Sequence, residues 1–168
     1  MKLNIGILGA GKIAAKMANT VAAMQGADVQ VLAVASRELP RAQAFAAAHH
    51  VPRAYGSYEA MLADADVQLV YVATPHSHHA RHTALCLAAG KHVLCEKTVT
   101  SNRRELERLL GIADEKGLVF MEAMRSAFIP AFGLIGDNLN KLGTIRRVSL
   151  QYAKYSSRYD KFRAGVVE

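Results

Sequence analysis

The feature that most constrains the fold is Gly9-Ala10-Gly11-Lys12-Ile13-Ala14, set directly behind the apolar run Leu3–Leu8 and opening an alanine-rich stretch, Lys12–Met24. A strand that passes straight into a helix through two glycines commits the chain to a βα unit. Gly9 permits the tight turn, Gly11 lets a pyrophosphate approach the backbone, and Ala14 lets the helix lie close on the sheet. The helix N-terminus adds amide donors and positive potential for an anion. The pattern reads as a dinucleotide cradle, with Gly9, Ala10, Gly11, Lys12 and Ile13 as binding residues.

The rest of the chain repeats the alternation. Val29–Ala35 is a β-branched strand, Pro40 opens a helix running towards Ala48, and a Tyr55-Gly56-Ser57 turn precedes a short helix over Tyr58–Ala63. Gln68–Ala73 reads as a strand, Ser77–Ala89 as a helix closed by Gly90, and Lys91–Cys95 as a strand. Asn102 and Glu105 resemble a capping box ahead of the apolar face Leu106, Leu109, Leu110 and Ala113. Gly117 then ends that helix before the strand Leu118–Glu122. Strands separated by helices imply right-handed crossovers and a parallel sheet. The expected class is α/β, a doubly wound parallel sheet over residues 1–122.

Residues 123–168 read differently. A helical stretch around Ala131–Leu139 is followed by alternation at Val148, Leu150 and Tyr152 within Ile145–Tyr155, the pattern of an open-faced antiparallel strand. It is expected to begin a second, α+β domain that this sequence does not complete.

A chain of 168 residues, 51% hydrophobic and 21% charged, fits an ordinary globular protein. Its apolar runs are shorter than the ~20 residues of a membrane helix, and the N-terminus enters a strand with no signal-peptide pattern. The expected location is cytoplasmic, with no membrane partner. The net charge of +7 comes from scattered Lys and Arg, with pairs at Arg103-Arg104 and Arg146-Arg147 and no stacking aromatics among them. That argues against nucleic acid and for a basic surface suited to anionic small molecules. Cys86 and Cys95 have no zinc or disulfide spacing and read as small buried residues.

The second strand selects the dinucleotide. An NAD site places an acid at the strand's end to accept from the ribose 2′-hydroxyl. Here the end is Ala35-Ser36-Arg37, and Asp28 lies before the strand. Ser36 can hydrogen-bond a 2′-phosphate, Arg37 can pair with it or stack on adenine, and Arg41 follows one turn into the helix. NADP(H) is the expected cofactor and NAD the second choice; the plainer reading leaves Arg37 as a solvated loop residue.

Ligands of open α/β sheets bind at the carboxyl ends of the strands. Ala73-Thr74-Pro75-His76 closes one strand and Glu96-Lys97 another, so both are expected beside the nicotinamide half. Lys97 is the candidate catalytic residue: it would exchange a proton with a substrate hydroxyl while hydride moves. The alternative is a Glu96–Lys97 surface ion pair. His78 and His82 are four apart and His79 and His82 three apart, but no acid or cysteine accompanies them, so no metal site is expected. His76 and His79 are assigned to the dinucleotide, His78 and His82 to the surface.

Taken together, Gly9–Ala14, Ala73–His79, Gly90–Lys97 and Glu122–Pro130 resemble the Gfo/Idh/MocA oxidoreductase family, from Leu3 to about Arg163. Ser36-Arg37 and Glu122-Ala123-Met124 resemble its dihydrodiol dehydrogenase-like branch, which uses NADP and oxidises sugars or cyclic diols. The resemblance implies a Rossmann domain with Lys97 as the lysine that binds nicotinamide and transfers the proton, and His79 as the family's histidine. It also implies a following antiparallel-sheet domain that completes the site and mediates dimerisation, hence a homo-oligomer acting on a small sugar, polyol or diol. The 168-residue chain is expected to bind dinucleotide but to be catalytically incomplete. Departures are His76 for the family's Asn, Thr98 for its Pro, and Arg125 and Ala127 where the branch has Trp and Arg. A non-catalytic dinucleotide-sensing regulator, like the galactose-gene repressor of the same architecture, is the rival; the Glu96-Lys97 pair favours the enzyme. A domain that has lost its ligand is disfavoured by the intact glycine turn.

Overall fold

The computed structural model describes residues 2–24, 26–151, 153, 155 and 159–165. They divide into two compact units, residues 1–123 and 124–168.

The first unit runs β1 (Leu3–Leu8), α1 (Lys12–Ala23), β2 (Val29–Ala35), α2 (Leu39–His49), β3 (Arg53–Tyr55), α3 (Tyr58–Leu62), β4 (Leu69–Val72), α4 (His79–Ala88), β5 (His92–Cys95), α5 (Arg103–Glu115) and β6 (Phe120–Glu122). All neighbouring strands are parallel, in the order β3-β2-β1-β4-β5-β6. The order reverses between β1 and β4, which opens a crevice above their carboxyl ends.

The strands are apolar on both faces because helices cover both. Ile5 and Ile7 join Ala14, Ala18, Val34 and Phe45 in one apolar layer. Leu8 faces the other, with Val70, Val72, Leu87, Val93 and Leu109. That double burial explains why the strands read as continuous apolar runs. Ser57 and Asn102 cap α3 and α5 by accepting from the Ala60 and Glu105 amides, at 3.1 and 3.0 Å. Lys91 is buried, and its ammonium donates to the Asp64 and Val67 carbonyls at 2.8 and 2.7 Å, fastening β5 to the segment that leads into β4.

One strand escaped the sequence reading. The turn placed at Tyr55 contains the end of β3, a three-residue edge strand too short to show a period. Tertiary contacts make it: the Ser36 amide donates to the Tyr55 carbonyl at 3.1 Å, and Arg53 grips Asp64 through both carboxylate oxygens at 2.9 and 2.7 Å. Burial works to raise the Asp64 pKa, but hydrogen bonds from Arg53, Tyr55 and the Asp66 amide outweigh it and hold the carboxyl below its usual range.

The second unit holds a 3₁₀ turn (Arg125–Phe128), α6 (Pro130–Asn138), a second 3₁₀ turn (Leu139–Leu142) and α7 (Tyr159–Arg163). The helix expected around Ala131–Leu139 is α6. The strand expected over Ile145–Tyr155 is absent from its described residues; Tyr152 and Lys154 lie outside them. A strand forms through hydrogen bonds to a neighbouring strand, and no described residue of this unit supplies one. Val148 and Leu150 are exposed. Among the described residues, no helix is long and apolar enough to cross a membrane.

Candidate dinucleotide site

The parallel ladder continues one residue beyond the strands and builds a rigid rim. Ser36 donates its amide to Tyr55, Gly9 to Ala35, Ala73 to Leu8, Glu96 to Val72 and Ala123 to Cys95, at 2.7–3.1 Å. Every segment singled out for chemistry in the first unit therefore leaves the sheet on one side.

Gly9 sits at φ +105°, and a Cβ there would lie 2.8 Å from the Ala73 carbonyl oxygen. Only glycine lets the β1 turn pass this close to the end of β4. Gly11 caps α1 in extended conformation, and a Cβ there would meet nothing within 4 Å. The space over Gly11 is thus open to a ligand. The first intrahelical bond runs from the Ala15 amide to the Gly11 carbonyl, so the preceding amides of the first turn have no partner within the helix. Lys12 and Ile13 are exposed, whereas Ala14 is fully buried against the sheet. These residues fit a pyrophosphate.

Arg41 reaches back from α2 and donates to the Ala10 carbonyl at 3.3 Å. Arg37 is exposed just past β2, and Ser36 is buried at its end. Tyr58, at the start of α3, lies within the field of both Arg37 and Arg41. Burial raises the Tyr58 pKa and the two guanidiniums oppose that shift. The end of β2 therefore carries cationic and hydroxyl groups.

At the other end, Lys97 is exposed while the residues around it are anchored. Tyr71 donates its hydroxyl to Glu96, and the Val99 amide donates to Glu122 Oε1 at 2.9 Å. Burial, then the Glu96 carboxylate, pushes the Tyr71 pKa up, so the phenol stays protonated and the bond keeps its direction. The Lys97–Thr98 peptide is cis. Burial pushes the Cys86 and Cys95 thiols up to about 12, which fits inert packing.

The histidines depart from the sequence assignment. His76 and His78 are exposed, in a 3₁₀ turn ahead of α4. His79, assigned to face the dinucleotide, is fully buried, with its ring nitrogens 2.7 and 2.8 Å from the Thr74 and Thr98 carbonyls. His82, assigned to the surface, is buried and shares a hydrogen bond of 2.9 Å with Thr74 Oγ1. The cause is the face that α4 packs on the sheet: His79 and His82, three apart, point inward with Cys86, four residues further on. Tyr71 and Glu122 were also missed as site residues. Glu122, an acid closing an apolar strand, was the available signal; Tyr71 gave none within its buried run.

Burial, then the neighbouring His78, Arg81 and His79, lowers the His82 pKa from 6.5 to about 4. The unfolded chain then binds the proton more readily, so stability from neutral His82 is complete above about pH 6.5 and is lost as pH falls towards 4. His82→Asn, which keeps an amide group near Nδ1 for the Thr74 hydroxyl and does not titrate, is expected to flatten that slope in urea unfolding between pH 6.5 and 4. An unchanged slope would remove His82 from the acid transition.

The comparisons agree with this geometry. Residues 3–124 match the Gfo/Idh/MocA family model, described as an oxidoreductase family with an NAD-binding Rossmann fold. The chain is 43% identical over 140 residues to scyllo-inositol 2-dehydrogenase (NADP(+)) of Bacillus subtilis, covering 83% of this chain and 43% of that one. It is 40% identical over 156 residues to trans-1,2-dihydrobenzene-1,2-diol dehydrogenase of Bos taurus, covering 92% and 47%. A 3-ketoreductase from Actinomadura kijaniata, solved with TDP-benzene and NADP, superposes with TM-score 0.77 at 33% identity, covering 84% and 44%. The chain thus spans less than half the length of these relatives. With its glycine turn, strand order and carboxyl rim in place, it belongs to the Gfo/Idh/MocA oxidoreductase family.

Proposed function

We propose that this chain is the NADP(H)-binding part of an oxidoreductase that moves hydride between nicotinamide and a sugar, polyol or cyclic diol. The observation that carries the reading is the shared rim. The open cradle at Gly11, the Ser36, Arg37 and Arg41 group, and exposed Lys97 lie at the carboxyl ends of β1, β2 and β5 of one sheet. The names of the relatives support both the cofactor and the substrate class.

In this reading the α1 amides at Lys12 and Ile13 bind the pyrophosphate. Ser36, Arg37 and Arg41 take the 2′-phosphate. Ala73, Thr74, Pro75 and His76 line the nicotinamide end beside Glu96 and Lys97. NADP supplies the site that accepts or returns hydride. Lys97 holds or moves the proton at the substrate hydroxyl, and the anchored Glu96 and Val99 keep its backbone in place. Residues 124–168 begin the substrate domain.

Calorimetric titration of the 168-residue chain tests the cofactor assignment. NADP⁺ is expected to bind at least about tenfold tighter than NAD⁺. Arg37→Ala should weaken NADP⁺ by roughly 10- to 150-fold, as loss of one charge-assisted bond of about 1.5–3 kcal/mol requires. NAD⁺ affinity should stay unchanged. Equal binding of the two dinucleotides, or tighter NAD⁺, overturns the reading.

A further inference from the structure

We infer that His79 is a positioning residue: its buried ring, carrying its proton on Nδ1, ties the segment carrying Lys97 to the start of α4, and so sets where the lysine stands on the rim. The inference rests on the reading of Lys97 given above.

His79 is the first residue of α4, a helix packed beside β4, β5 and α5, and it is fully buried. Nε2 lies 2.7 Å from the Thr74 carbonyl, and Nδ1 lies 2.8 Å from the Thr98 carbonyl. Both partners only accept, so a neutral ring donates to one of them, and the tautomer protonated at Nδ1 holds Thr98. Thr74 follows β4 and Thr98 follows Lys97, so the ring lies between the two segments assigned to the nicotinamide end and donates to the second. His82, three residues along the same helix, holds the Thr74 hydroxyl. One rigid element, α4, therefore holds the Thr74 side chain through His82 and the Lys97 segment through His79.

The remaining anchors act beside Thr98. Tyr71 holds Glu96 before the lysine, and Glu122 holds the Val99 amide after it. Without the ring, Lys97 and Thr98 are the stretch between these two anchors that loses its tie to α4. A site group held through supporting contacts keeps its working geometry, and one left loose loses rate.

Three variants separate clamping from packing. Asn in place of His79 puts its amide nitrogen near Nδ1, and Gln puts it near Nε2. His79→Asn thus keeps the bond to Thr98, whereas His79→Gln donates to Thr74 instead and frees Thr98; His79→Leu donates to neither. Amide hydrogen exchange in the 168-residue chain, with no cofactor added, reads the clamp at Val99. Exchange there is expected to rise at least about tenfold in His79→Gln and His79→Leu and to stay near wild type in His79→Asn, with the β1 and β2 amides unchanged. A rise spread evenly over β1 and β2, or no difference between Gln and Asn at Val99, overturns the clamp. NADP⁺ affinity supplies the link to Lys97. His79→Gln should weaken NADP⁺ about fivefold with Lys97 present and less than twofold in Lys97→Ala; equal losses in both backgrounds overturn action through Lys97. If the wild-type chain binds no NADP⁺ while Val99 responds as expected, the clamp stands and the cofactor reading falls.

Discussion

Gly9→Ala is expected to lower the stability of the 168-residue chain by about 2–4 kcal/mol and to weaken NADP⁺ binding at least tenfold. Two independent costs add. The backbone at φ +105° is one that L side chains rarely adopt, and the new methyl would stand 2.8 Å from the Ala73 carbonyl oxygen and 3.3 Å from Thr74 Cγ2. Neither neighbour yields easily, because the Ala73 amide is bonded to Leu8 and the Thr74 side chain is held by His82. Relief must come from opening β1 against β4, beneath the cradle itself. Gly111→Ala in the interior of α5, where a Cβ meets nothing within 4 Å, is the control. It should leave NADP⁺ binding alone and raise stability by about 0.5–1 kcal/mol. Urea unfolding and calorimetry on both variants check this. A Gly9→Ala chain as stable as wild type would show that the turn has slack.

Lys97→Ala is expected to lower turnover by ~10²–10⁴-fold, the usual contribution of a positioned acid–base group. The measurement needs a form of the protein extended to the length of its relatives, assayed with NADP⁺ and a panel of polyols and cyclic diols. Because the side chain is exposed, stability should barely change. NADP⁺ affinity should fall by less than about tenfold, which separates loss of chemistry from loss of binding. Turnover within tenfold of wild type would leave Lys97 a binding residue only.

These two residues also mark how far the sequence reaches. Gly9 and Gly11 were legible because a strand, a glycine turn and a helix follow one another along the chain, and the turn's geometry is local. β1 and β2 were legible to the residue, since strands covered on both faces are unbroken apolar runs. Lys97 was legible as a charge at the end of such a run. The missing acid after Ala35 distinguished the two dinucleotides by an absence that only linear order was needed to see.

What stayed hidden depends on distance through space. β3 exists because Arg53 meets Asp64 and Tyr55 meets Ser36, contacts between segments with no common period. The antiparallel strand expected over Ile145–Tyr155 shows the converse: alternation describes which face of a strand is apolar, but the ladder itself needs a second strand. The histidines divide the two kinds of knowledge most sharply. Their three- and four-residue spacing is written in the sequence, yet which of them faces the core follows from the face that α4 packs against β4, β5 and α5. Tertiary packing set that face, and so turned a residue assigned to the cofactor into a buried one whose ring lies between the Thr74 and Thr98 carbonyls.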